Sequence, residues 1–213
     1  MDMNIQRKDI FVESIFDVEV PDVDTDGIYA FFMEAKKNHS GISRSNYGGW
    51  QFDMKTDVCP AYDDLLQKLD MAANHIIRNV FKMDLEVFVC NSWLNHSLKG
   101  GMNSIHTHPG ALLSGAFYIK TSDNTGDINF VRESAHAIEN TLHYLNADYI
   151  RKKRDRLWMT NHSRPPKQNH AYMFSPWLMH EVMENTTNDD RLVAGFNVRP
   201  VFPEDRVAAV INK

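Results

Sequence analysis

The apolar period of this chain changes once, and that change dictates its fold class. From Tyr62 to Phe81, apolar residues at 62, 65, 66, 69, 73, 76, 77 and 80 recur at the spacing of one helix face. From Glu86 onward the period shortens to two, and β-branched and aromatic residues take over, as in Glu86–Asn95 (EVFVCNSWLN). A chain that switches from period 3.6 to period 2 has to lay a helix stripe against a sheet face. The spacing predicts a helix over 62–81 and strands over 86–95, 102–108, 112–121, 127–132, 169–175, 178–184 and 191–200. Lys99-Gly100-Gly101 reads as a turn and 122–126 as a hairpin loop. Upstream, 10–20 reads as an edge strand, Asp24 or Thr25 as the cap of a helix through about Asn38, and Asn46–Trp50 as a glycine loop. Residues 134–157 read as a helical or irregular insertion with a basic end, Arg151 to Arg154. Helices first and then about eight short strands is the order of a mainly-β sandwich with flanking helices. The expected organisation is a single domain over 1–213, with its β core at about 86–200 and helical support at 22–82.

Composition excludes several classes. The net charge of −5 argues against a broad nucleic-acid surface. No apolar run approaches eighteen residues, so no transmembrane helix is expected. The start, MDMNIQRKDIFVES, carries no apolar signal core. Cys59 and Cys90 are the only cysteines and form no CxxC pair, which fits a reducing compartment; the expectation is the cytoplasm.

Chemistry concentrates in a few positions. In His106-Thr107-His108 both rings fall on one face of a strand. His180 shares a strand face with Val182, and a third imidazole from a distant strand closes a facial metal site. The remaining seven histidines, among them His96 and His170, show no paired spacing. Arg191 lies eleven positions after His180, where it returns on a neighbouring strand. It shares its face with Val193, Gly195 and Asn197, and a buried guanidinium there needs an anion, which it clamps with two parallel hydrogen bonds. On Leu113–Lys120, the small Ser114 and Ala116 share a face with Tyr118, whose hydroxyl can donate to a carboxylate. A metal with an acidic co-substrate points to an iron oxygenase. Two other readings stay open: a three-histidine, cupin-like dioxygenase in which Arg191 binds substrate, and a non-enzymatic jelly-roll binding or capsid-associated module.

The order His-x-His, SGAFYI, a Gly-Asp-Ile-Asn-Phe strand, PWLMHEV and RLVAGFNV resembles the 2-oxoglutarate and Fe(II)-dependent dioxygenases. Within that superfamily the chain is most similar to uncharacterised oxygenases of phages and marine bacteria, and Asn46-Tyr47-Gly48-Gly49-Trp50-Gln51 adds to the likeness. The resemblance covers roughly 86–200. It implies a double-stranded β-helix (jelly roll), Fe(II) and 2-oxoglutarate as cofactors, and hydroxylation of a substrate with release of succinate and CO2. By position it implies His106 and His180 as metal ligands, Arg191 and Tyr118 on the far carboxylate of 2-oxoglutarate, and Asn95 touching the co-substrate. His108 stands where most of the superfamily has Asp or Glu, and of the nearby acids Asp127 and Glu181 neither is preferred to it as the third ligand. The prime substrate is open among a protein side chain, a nucleobase and a small metabolite. The basic run 151–156 reads as a solvated helix end, and a homodimer is a family-level expectation.

Overall fold

The structure, a computed structural model, describes residues 6–144, 152 and 156–202. Helix α1 (Thr25–Asn38) starts where the Asp24 carboxylate accepts the Gly27 backbone N–H at 2.8 Å. Helix α2 (Pro60–His75) opens with a proline, whose missing N–H costs nothing in a first turn. It widens into a π turn over Ile76–Val80, so the helix predicted at 62–81 is present with a loosened end. Its stripe Tyr62, Leu65, Leu69, Ala73, Ile76 and Ile77 is buried as the period required.

The strands are β1 (Ile15–Glu19), β2 (Asn46–Met54), β3 (Val87–His106), β4 (Leu113–Lys120), β5 (Ile128–Val131), β6 (Asn161–Arg164), β7 (His170–Phe174), β8 (His180–Val182) and β9 (Arg191–Pro200). Helix α3 (Ala135–Tyr144) follows β5. All pairings are antiparallel, in the order β1-β7-β4-β9-β3-β8-β5-β6, with β2 also on β3. Strand β3 organises the whole. Its first half pairs with β9 and its second half with β8, so two arms, β9-β4-β7-β1 and β8-β5-β6, leave the same strand. The sheet curls until the inner faces of the arms meet. Tyr118, Tyr172, Phe174 and Val193 of one arm pack with Ile128 and Phe130 of the other. This is a mainly-β, curled antiparallel half-barrel of the jelly-roll type.

The outer face of the larger arm carries the main core. Leu113, Phe117, Ile119, Leu192, Ala194, Phe196 and Val198 join Ile28, Phe32, Tyr62, Leu65 and Leu69 of the two helices. Each large apolar side chain buried there contributes about 1.5–3 kcal/mol. Stability therefore rests on the outer face, and the inner face is free to carry polar groups.

Three local expectations change. Lys99-Gly100-Gly101 does not end a strand. Pairing passes from Tyr47↔Met102 to Gly49↔Ser97, so Leu98–Gly101 form a bulge inside β3, with Gly100 at φ +85°. A glycine in that conformation serves a bulge as readily as a turn. Asn46–Trp50 is not a loop but the start of β2. A Cβ at Gly49 would lie 2.9 Å from the His96 carbonyl oxygen, so the glycine permits close strand approach. Strand β6 was invisible in the sequence, because Asn-His-Ser-Arg has no apolar alternation and exists only by its ladder to β5. Of the insertion, 135–144 is helical, while most of its basic end lies outside the described residues. Among the described residues, no helix is long and apolar enough to cross a membrane.

Candidate active site

His106 is the last residue of β3, His108 lies two residues beyond it, and His180 opens β8 directly opposite His106. The ladder thus brings together residues more than seventy positions apart. One ring nitrogen from each of the three lies within 4.8 Å of the others, and the Nε2 atoms of His108 and His180 are 3.2 Å apart. The Nδ1–H of His106 donates to the Ser104 carbonyl at 2.7 Å, and that of His180 to the Leu178 carbonyl at 2.9 Å. A carbonyl only accepts, so both Nδ1 atoms hold the proton and both Nε2 lone pairs are free to converge. His108 stacks on Trp93 at 5.6 Å between centroids, and its backbone N–H donates to the Pro176 carbonyl at 2.8 Å. Phe174 packs against His180 at 4.6 Å.

Burial lowers the pKa of all three histidines. For His108 burial, then the neighbouring His106, brings it to about 4; for His180 the same causes in the same order bring it to about 3. The trio is uncharged at neutral pH, the form that binds a metal. The 3.2 Å separation fits two adjacent ligand positions on one ion about 2.1 Å from each nitrogen. No acid joins the group among the described residues. Glu181 points to the other strand face, where it accepts from Asn129 Nδ2 at 2.8 Å, and Asp127 does not line the cavity. His108 is therefore the third member of the cluster.

The histidines open onto a cavity of about 330 Å³, which Arg191, Tyr118 and Asn95 also line. Arg191 is buried. Its Nη1 donates to the carbonyl oxygens of Thr125, of Gly126 at 3.1 Å and of Met183 at 3.4 Å, and its Nη2 to Ser97 Oγ at 3.2 Å. No salt bridge to Arg191 exists among the described residues, so its full charge meets only neutral oxygens. Tyr118 is buried, and burial raises its pKa more than the Arg191 charge lowers it, so the hydroxyl stays a proton donor. The Oδ1 of Asn95 is buried without a hydrogen-bond partner among the described residues. All six site residues expected from the sequence thus face one cavity.

The sequence reading missed others on the same wall. Asn91, Trp93 and Ser97 line the cavity along with the expected Asn95, while Leu94 packs in the core behind, a period of two that marks an inner face. Gln51, paired with Asn95 across β2 and β3, is 2% exposed and faces the cavity with no side-chain hydrogen bond among the described residues. It escaped because its strand was read as beginning in a loop.

Behind Arg191, on the outer face, Asp190 ties three elements together. It accepts from Tyr29 Oη at 2.7 Å, His96 Nε2 at 3.0 Å and Lys120 Nζ at 2.9 Å. Burial by itself would raise its pKa. The bonds from Lys120, His96 and Tyr29 together outweigh that and hold the carboxyl well below the usual range.

A curled jelly-roll sheet that sets a neutral three-histidine cluster, one ring buried and two half-buried, beside a buried arginine has the parts of a non-haem metal oxygenase. Residues 91–197 match the sequence profile of the family described as "Putative 2OG-Fe(II) oxygenase", and the chain belongs to that family, whose cofactors are Fe(II) and 2-oxoglutarate. No curated protein matches the sequence. Among solved structures, the chain is similar to a Pseudomonas putida prolyl-4-hydroxylase, at 11% identity and TM-score 0.61, over 89% of this chain and 94% of that one. It is also similar to HygX from Streptomyces hygroscopicus with nickel and 2-oxoglutarate bound, at 13% identity and TM-score 0.58, over 89% and 84%. A third is SnoK, a non-heme alpha ketoglutarate dependent carbocyclase from nogalamycin biosynthesis, at 11% identity and TM-score 0.59, over 92% and 86%. At these identities the likeness is one of fold.

Proposed function

We propose that the protein hydroxylates a C–H bond of a small substrate, with His106, His108 and His180 holding Fe(II) and Arg191, Tyr118 and Asn95 seating 2-oxoglutarate. The observation that carries this reading is the cavity joining a neutral three-nitrogen cluster to a buried arginine that has no carboxylate partner among the described residues. When bound, the iron with 2-oxoglutarate and O2 supplies the oxidation: one oxygen atom enters the substrate, the other enters succinate, and CO2 leaves.

The chain's own residues do the rest. Ser104 and Leu178 fix the ring tautomers of His106 and His180, so no proton has to leave before metal binds. Arg191 and the protonated Tyr118 offer charge and a donor to the far carboxylate, which sets the direction in which the diacid lies. The aromatic wall of Trp93, Phe130 and Phe174 around the histidines limits water at the reacting end.

The test is anaerobic addition of Fe(II) and 2-oxoglutarate to protein purified without a histidine tag. The reading expects a weak metal-to-ligand charge-transfer band only with both present, lost in His108→Ala. One observation favours a second reading, a three-histidine dioxygenase without 2-oxoglutarate: the trio contains no carboxylate. In that case the band is absent and oxygen consumption is indifferent to 2-oxoglutarate.

A further inference from the structure

The cavity continues past the histidines. Along the β3–β9 ladder its rungs are Ser97/Arg191, Asn95/Val193, Trp93/Gly195 and finally Asn91/Asn197. Arg191 holds one end, and His108 stacks at the Trp93 rung. The half beyond that rung is therefore left for a second molecule, and its wall has a definite chemistry.

Arg44 lines this cavity and ion-pairs Asp53, which sits opposite Trp93 on β2. The pair is single-pointed. Only Nη2 of Arg44 reaches Asp53, at 2.7 Å, and the other Asp53 oxygen has no hydrogen-bond partner among the described residues. Arg44 is half exposed and makes no other side-chain hydrogen bond among the described residues, so most of its five donors are available. Asn91 stands at the exposed end of this half, while the buried carboxamide of Gln51 faces the cavity one rung nearer Arg191, opposite Asn95.

Charge decides the class of occupant. Among the described residues no Asp or Glu lines the cavity, while Arg44 and Arg191 do. A divalent metal on three neutral imidazoles keeps both its charges, and the two arginines bring two more. A doubly charged co-substrate cancels half of these. Counting Asp53 against Arg44 still leaves one positive charge that no lining side chain among the described residues meets.

We propose that the prime substrate is a small polar anion, carrying a carboxylate or phosphate that Arg44 binds and a neutral hydroxyl or amide that Asn91 binds. This rests on the oxygenase reading of the site. The experiment is calorimetric titration of the Fe(II)- and 2-oxoglutarate-loaded protein, without oxygen, using matched probes: O-phospho-L-serine against L-serine, and 3-hydroxybutyrate against its amide. The expected result is that at least one anion binds at least about tenfold more tightly than its neutral partner, one charged hydrogen bond's worth. Which pair shows it distinguishes phosphate from carboxylate. Arg44→Ala should abolish the preference and Arg44→Lys should keep part of it, with 2-oxoglutarate affinity unchanged in both. Equal binding of the members of both pairs, no binding of any probe, or a preference that survives Arg44→Ala overturns the proposal. Loss of the charge-transfer band in the parent overturns the co-substrate reading instead; the same titration on metal-loaded protein then still reads the Arg44 subsite by itself.

Discussion

Replacing Asp190 by Asn keeps the shape of the outer-face tie and removes its charge. The carboxylate accepts three bonds, from Tyr29, His96 and Lys120. An asparagine oxygen can still accept from Tyr29 and His96, but those bonds fall from charged to neutral, a loss of roughly 0.5–1 kcal/mol each. The amide nitrogen then faces the Lys120 ammonium. Lys120 is 44% exposed, so that lost pair is worth no more than about 1 kcal/mol. The total for Asp190→Asn is about 2 kcal/mol at pH 7. For a chain of this size the melting temperature should drop by roughly 4–8 °C, and the urea midpoint should move without a change of slope. The pH dependence has a fixed sign. The folded pKa of Asp190 is depressed, so its contribution is complete above the unfolded value of about 3.9 and is lost as pH falls toward the folded one. The gap between parent and variant should therefore be constant from pH 7 to 5 and narrow from about pH 4 downward. A gap under about 0.5 kcal/mol at pH 7, or one that widens in acid, refutes this account of the tie.

Arg191→Ala should weaken 2-oxoglutarate binding at least about tenfold, measured by calorimetry on metal-loaded protein, because one buried charged hydrogen bond is worth roughly 1.5–3 kcal/mol. Iron affinity should be nearly unchanged, since Arg191 touches none of the histidines. Gly126→Ala should damage the same function by another route. Gly126 has φ +104°, and an added Cβ would lie 2.1 Å from the Met183 carbonyl oxygen and 2.4 Å from Arg191 Nη1. The variant should lose at least about 1–3 kcal/mol in urea unfolding and bind 2-oxoglutarate poorly. His108→Asp should keep metal binding, because the position remains a ligand, and its succinate yield shows whether a carboxylate there changes turnover.

The strands of the larger arm were legible because burial alternates along them. Leu192, Ala194, Phe196 and Val198 face the helices while Arg191, Val193 and Gly195 face the cavity, as period two required. The histidines were legible as a pair and a single by residue type, although only β8 lying against the end of β3 shows that they meet. Glycines misled. At 48–49 and 100–101 their permissive backbone reads as a turn, whereas the chain uses it for a bulge and for close strand pairing. Gln51 belonged to a stretch that added to the family likeness, but neither it nor Arg44 was marked as a site residue, because neither has a spacing partner in sequence. Their neighbours are set by the β2–β3 register, a long-range choice that local pattern does not encode.

The guanidinium of Arg191 is cradled by main-chain oxygens at 125, 126 and 183 and by one serine hydroxyl. Apart from that serine, the seat has no side chain to mutate. Exposed Met183 can drift through many residue types without altering the oxygen it presents, so divergence at that position says little about whether the seat survives. What the seat does demand is path length. A residue inserted in the short connection between β4 and β5 would shift two of its three carbonyls at once, so natural variation there should run through substitutions and spare the spacing.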